Sequence, residues 1–158
     1  MNGTRDSAAF RREGLRIGGE TVHTGRTFDV RNPYSGERVG TVAMAGVDEV
    51  RRAMEIGHAF RPKLSRYERS AILNRAAALL RERTEAASDL ITAESGLCKK
   101  DSLYEIGRVA DVLNFGANET LRDDGQVFSC DLTPHGKQRK VITLREPLLG
   151  VITAITPF

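Results

Sequence analysis

Apolar residues change their period along this chain, and each change marks an element. Up to about residue 45 they come in short alternating runs. Leu15, Ile17 and Val22 flank the pair Gly18-Gly19, which predicts a hairpin. Asn32-Pro33 and Ser35-Gly36 are turn chemistry, and Val39 to Ala43 reads as a short strand. From Val47 the spacing becomes helical. Val47, Val50, Ala53, Met54 and Ala59 form one stripe, and Pro62 marks the break after it. Ser65 with Glu68 reads as a capping box opening a second helix, whose stripe is Ile72, Leu73, Ala76, Leu79 and Leu80. Thr84 to Ala93 continues with Ala87, Leu90 and Ile91, and Gly96 suits the left-handed position after a helix end. Leu103, Ile106, Ala110, Leu113 and Ala117 predict a further helix over 101–120. Alternation from Lys140 to Arg145 predicts a strand with one apolar face. The run 151–158 reads as a strand buried on both faces.

Composition narrows the class. The chain has 158 residues, 40% hydrophobic and 28% charged, a globular balance with room for one ordinary domain. No apolar run is long enough to cross a bilayer, and no secretory leader is evident, so the expectation is a cytoplasmic protein without membrane contact. Two cysteines, Cys98 and Cys130, build neither a disulfide scaffold nor a zinc site by themselves. The 24 basic against 21 acidic residues leave a net charge of +3, too balanced to point to nucleic acid. His23 and His58 lack ligand partners in sequence, so no metal site is expected. A buried-type strand at the very end reads as the chain of a longer protein interrupted.

The chain carries no Walker loop, G-x-G-x-x-G fingerprint or H-E-x-x-H helix. Several short patterns do occur together and in order. They are Ile17-Gly18-Gly19-Glu20, Phe28-Asp-Val-Arg-Asn-Pro-Tyr-Ser-Gly-Glu37, Val47-Asp-Glu-Val50, the arginine-led helix from Arg69 to Arg83, Glu94-Ser-Gly96, and Pro147-Leu-Leu-Gly-Val-Ile-Thr-Ala-Ile-Thr-Pro-Phe158. Each alone is weak. Their succession resembles the aldehyde dehydrogenase superfamily over nearly the whole chain after Ile17. The stretches from Glu94 to Ser102 and from Asp123 to Lys137 are similar to the branch that oxidises phosphonoacetaldehyde to phosphonoacetate in 2-aminoethylphosphonate degradation.

The resemblance implies an α/β fold, the N-terminal and incomplete part of a Rossmann-like NAD-binding domain with part of a β oligomerisation arm. It divides the chain into a flexible tail at 1–16, a hairpin and helical region at 17–122, arm strands at 123–146 and a first dinucleotide-binding strand at 147–158. It implies NAD as cofactor with NADP not excluded, and a homo-oligomer, dimer or tetramer, for the full-length protein. In that family a cysteine thiolate attacks the aldehyde and an asparagine amide with a backbone N–H holds the oxyanion. A glutamate later activates water on the thioester. The asparagine follows the motif ending at Phe158, and the cysteine and glutamate lie further on. The chain of 158 residues is therefore expected to be inactive alone. Neither Cys98 nor Cys130 matches the nucleophile's position.

Ile155, Thr156, Pro157 and Phe158 correspond to a strand end whose main chain runs beside the dinucleotide in the family; the bland reading is core strand. Arg108 lies on the helix that borders the substrate tunnel in the family. Arginine suits a phosphonate dianion better than lysine does, and the alternative is a solvated surface arginine. Lys99 and Lys100 read as surface charges, and Glu105 as a recurrent family glutamate with no role beyond helix or salt-bridge structure. The basic run from His135 to Arg145 reads as a solvated or interface strand. The implied substrate is a small anionic aldehyde. Succinate semialdehyde and glyceraldehyde 3-phosphate are the alternatives to phosphonoacetaldehyde. A catalytically dead remnant that only folds or pairs with intact subunits is the non-enzymatic alternative.

Overall fold

The computed structural model describes residues 10–122, 125–144 and 148–156. Strands β1 (Arg11–Glu13), β2 (Leu15–Ile17), β3 (Glu20–Val22), β4 (Thr27–Arg31) and β5 (Arg38–Ala43) precede four helices. These are α1 (Val47–Ala59), α2 (Arg66–Glu82), α3 (Thr84–Ser95) and α4 (Lys99–Glu119), followed by strands β6 (Val127–Ser129) and β7 (Lys140–Ile142). β1, β5 and β4 form one sheet, with β1 parallel and β4 antiparallel to β5. β2 pairs with β3, and β6 with β7.

The predicted hairpin forms where expected. Gly18 and Gly19 take φ of 60° and 86°, the two positive values that a tight turn matching strand twist requires. The order starts earlier than the resemblance implied, because Arg11–Glu13, inside the tail at 1–16, pairs with β5.

Capping chemistry sets the helix boundaries. The Ser65 Oγ accepts from the Glu68 N–H at 3.2 Å, and the Ser65 N–H donates to the Glu68 carboxylate at 2.7 Å. That is the capping box read from the sequence. The backbone N–H of Ser65, and then its hydroxyl, hold the Glu68 carboxyl below the usual range. Gly96 closes α3 in the left-handed region at φ 74°. A Cβ there would lie 2.7 Å from Pro33 Cγ, so space and backbone both demand glycine.

The core lies among α2, α3 and α4. Ala77, Ala110 and Ala117 are buried together with Ile106. Gly116 of α4 faces Leu73 of α2, where an added Cβ would lie at ordinary contact distance, 3.5 Å. A buried hydroxyl cluster joins α3 to α4. Ser102 Oγ donates to the Lys99 carbonyl at 3.0 Å and receives Thr92 Oγ1 at 3.3 Å. Ser102 Oγ also lies 2.6 Å from Ser88 Oγ, where either hydroxyl can donate. At the rim, Lys99 Nζ bridges Asp89 at 2.7 Å and Glu85 at 2.9 Å. Asp89 first, then Glu85, raise the Lys99 pKa above its ordinary value.

Four expectations fail on burial. The α1 stripe is uncovered among the described residues, with Val47, Val50 and Met54 exposed; the side of α1 that packs faces β2. Ile72 is likewise exposed on α2, since α4 covers the Ala77 face instead. Between Lys140 and Arg145, strand pairing covers Lys140–Ile142 and no face of it is buried, while Arg145 lies outside the described residues. The stretch 151–156, expected as a doubly buried strand, pairs with no strand among the described residues and is exposed. A strand of that kind needs a neighbour on each edge and a layer on each face, and the described residues supply neither.

Two stability outcomes follow from the α2 cap. Ser65→Ala lowers the unfolding free energy by about 1 kcal/mol in urea titration. Glu68 contributes stability while ionised, and this is lost as the pH falls through its depressed folded pKa. Glu68→Gln therefore flattens the acid side of the melting-temperature profile; an unchanged acid slope contradicts the assignment.

Candidate functional site

Helix α4 decides which residues can meet a ligand. Ile106, Ala110 and Ala117 fall on one side and are consumed by packing. At helical spacing, Tyr104, Arg108, Val112 and Phe115 fall on the opposite side. All are exposed, with Tyr104 at 66% and Phe115 at 73%. The result is an outward stripe of two rings, an aliphatic side chain and a guanidinium.

Arg108 is held at two points. Its Nη1 donates to Glu105 Oε1 at 3.0 Å, and its guanidinium carbon lies 5.9 Å from the centre of the Tyr104 ring. The side chain keeps 61% of its surface exposed. An arginine presents five donors in a fixed plane, so one bond to Glu105 leaves capacity for a bidentate anion contact. The structure places Arg108 as an exposed arginine paired with Glu105 beside Tyr104. The spacing to Glu105 and Tyr104 was visible in sequence as i−3 and i−4, the signal that would have given Glu105 a partner.

The cofactor-side residues are not assembled into a site by the described fold. Ile155 is 91% exposed and lies with Thr156 in an unpaired segment. Pro157 and Phe158 lie outside the described residues. Nearby, Leu149 lines a recess and Val151 approaches α1, where a Cβ on Gly57 would be 2.8 Å from Val151 Cγ2. Leu149 and Val151 thus lie near α1 and its link to α2, but the described residues make no dinucleotide cradle around Ile155 and Thr156.

The Leu149 recess, about 660 Å³, was not singled out from sequence. It opens at the link between α1 and α2 and is lined by Arg61, Lys63, Arg66 and Arg69 among others. Part of this charge is structural. Arg61 Nη1 donates to the His58 and Phe60 carbonyls at 2.9 Å and so satisfies the end of α1. The charges about Pro62 were the available sequence signal.

The cysteines are free, Cys98 exposed and Cys130 half-buried. Lys99 is tied to α3, whereas the basic run is carried by the exposed β6–β7 ribbon and its connection. Among the described residues no group of three or more His, Cys, Asp or Glu is placed to hold a metal ion, and no helix is long and apolar enough to cross a membrane.

The aldehyde dehydrogenase family profile matches residues 21–158. The chain is 32% identical over 146 residues to 3-sulfolactaldehyde dehydrogenase of Priestia aryabhattai, covering 92% of this chain and 30% of the relative. Among solved structures it resembles aldehyde dehydrogenase 21 of Physcomitrella patens in complex with the reaction product succinate. That match has a TM-score of 0.80 and 26% identity, and covers 84% of this chain and 28% of the other. It also resembles the NADP-dependent glyceraldehyde-3-phosphate dehydrogenase of Bacillus halodurans, complexed with NADP. There the TM-score is 0.74 and the identity 30%, covering 85% and 29% of the respective chains. The chain thus spans about 30% of the length of the curated relative named here. Its α/β fold is that of the N-terminal part of such structures. A match over these residues, in sequence and in backbone, places the chain in the aldehyde dehydrogenase family.

Proposed function

We propose that this chain is the N-terminal part of a dinucleotide-dependent aldehyde dehydrogenase whose substrate carries an anionic group, phosphonoacetaldehyde in particular. In the complete protein the aldehyde would be oxidised to a carboxylate with an oxygen from water, and NAD, with NADP not excluded, would be the hydride acceptor. Ile155 to Phe158 are proposed as the stretch that runs beside that dinucleotide in the complete protein. A homo-oligomer is proposed for the complete protein as well.

The observation that carries the substrate class is Arg108. It sits on the outward face of α4, oriented by Glu105 and Tyr104, with donors left for an anion. Similar proteins support the same class by their names: a sulfonated aldehyde, a complex with the dicarboxylate succinate, and a phosphorylated aldehyde. Phosphonate, sulfonate, carboxylate and phosphate all suit a guanidinium fork. Succinate semialdehyde and glyceraldehyde 3-phosphate are therefore the competing substrates. A second reading is a catalytically silent segment that only folds or pairs with intact subunits, which would cover the exposed apolar positions of α1 and of the β6–β7 ribbon.

Turnover of a panel of aldehydes by the full-length protein, followed by dinucleotide reduction, tests the proposal. The expected order puts phosphonoacetaldehyde first in kcat/KM, ahead of succinate semialdehyde, glyceraldehyde 3-phosphate and an uncharged aldehyde of similar size. Arg108→Gln raises KM for the anionic substrates by about tenfold or more, from the loss of a hydrogen bond between charged groups, and leaves the uncharged aldehyde unaffected. Equal loss on charged and uncharged aldehydes removes Arg108 from substrate selection. No turnover of any aldehyde favours the silent segment.

A further inference from the structure

We propose that Tyr104 and Glu105 are positioning residues that set the strength of Arg108 as an anion receptor in opposite directions. This rests on the reading of Arg108 as the residue that selects anionic aldehydes.

Three neighbouring facts on α4 carry it. The Arg108 guanidinium lies over the Tyr104 ring at 5.9 Å, within reach of a cation–π contact. Its Nη1 is bonded to Glu105 Oε1 at 3.0 Å. Both partners belong to the helix that carries Arg108, so their geometry is fixed by backbone spacing and not by a loop. The ring restrains the guanidinium plane without neutralising its charge. The carboxylate also restrains it, but places a negative charge where an incoming anion must approach. Tyr104 therefore favours anion binding through orientation. Glu105 opposes it through charge, and so limits affinity for a dianion and eases release of a product that carries one more negative charge than the substrate.

The opposite signs separate this proposal from a general structural role. Tyr104→Leu removes the ring and is expected to raise KM for phosphonoacetaldehyde about two- to threefold, the loss of an exposed cation–π contact. Tyr104→Phe retains the ring and restores the parent value. Glu105→Gln keeps an acceptor for Arg108 but removes the charge, and is expected to lower KM for phosphonoacetaldehyde about twofold. That gain weakens as salt is added. For both substitutions KM for an uncharged aldehyde stays at the parent value, which shows that the site is intact.

The measurement is KM and kcat of the full-length enzyme for one charged and one uncharged aldehyde, at low and high salt, for the parent and four variants: Y104L, Y104F, E105Q and R108Q. If R108Q loses charge selectivity while Y104L and E105Q match the parent, or shift KM in the same direction, the positioning role is overturned and the substrate reading stands. If R108Q itself leaves charge selectivity intact, the substrate reading fails and the positioning role fails with it. If Y104L or E105Q changes charged and uncharged aldehydes alike, the effect is structural and the proposal is overturned.

Discussion

The close approach of α2 to α4 is the constraint on which the rest of this structure depends. Ala77, Ala110 and Ala117 are buried between them with Ile106, and Gly116 faces Leu73. Close packing of this kind fixes the rotation of α4 about its own axis, because a turned helix would drive larger side chains into the gap. Once the rotation is fixed, Ile106 must point inward and Tyr104, Arg108 and Phe115 must point away. The hydroxyl cluster of Ser88, Thr92 and Ser102 then pins the beginning of α4 to α3. Each hydroxyl finds a partner, so a polar cluster is tolerated in the core and specifies one register between those helices.

The proposed chemistry depends on that rotation. A guanidinium selects an anion by plane and direction as well as by charge. An arginine free to swing on a surface loses part of that selectivity as entropy. Arg108 is instead placed on a packed helix and braced by two residues of the same helix. The uncovered apolar positions belong to the same logic. Val47, Val50 and Met54 of α1 repeat at helical spacing, yet the described residues leave them exposed. The chain spans about 30% of a curated relative's length. On the proposed reading, those faces and the segment 151–156 meet the remainder of the enzyme.

Much of the local structure was legible in the sequence because it is set by short-range chemistry. The Ser65–Glu68 box, the Gly18-Gly19 turn and the left-handed Gly96 each need only a few neighbouring residues, and each appears as read. The α4 stripe was legible for the same reason. What failed was burial, which depends on partners distant in sequence. Ile72 and the α1 stripe have the right period and no cover, and segment 151–156 has the composition of a buried strand and no strand beside it. β1 was missed because Arg11–Glu13 is polar throughout; its pairing to β5 uses main-chain groups that leave no mark in side-chain pattern. For the candidate site, the contacts of Arg108 with Glu105 and Tyr104 follow from the i−3 and i−4 spacing within α4. The α1–α2 recess was not legible, because its lining joins Leu149 to residues far earlier in the chain.

The most direct measurement of the central claim is amide hydrogen exchange of the chain, resolved by element. Packing of α2, α3 and α4 predicts that the slowest amides lie at the buried positions of those helices, around Ala77, Ser88, Ile106 and Ala110, opening only with global unfolding. The exposed β6–β7 ribbon and segment 148–156 should exchange far faster. Protection of the ribbon equal to that of α4, or fast exchange through the middle of α4, would contradict the account, since Arg108 would then have no rigid element to hold it.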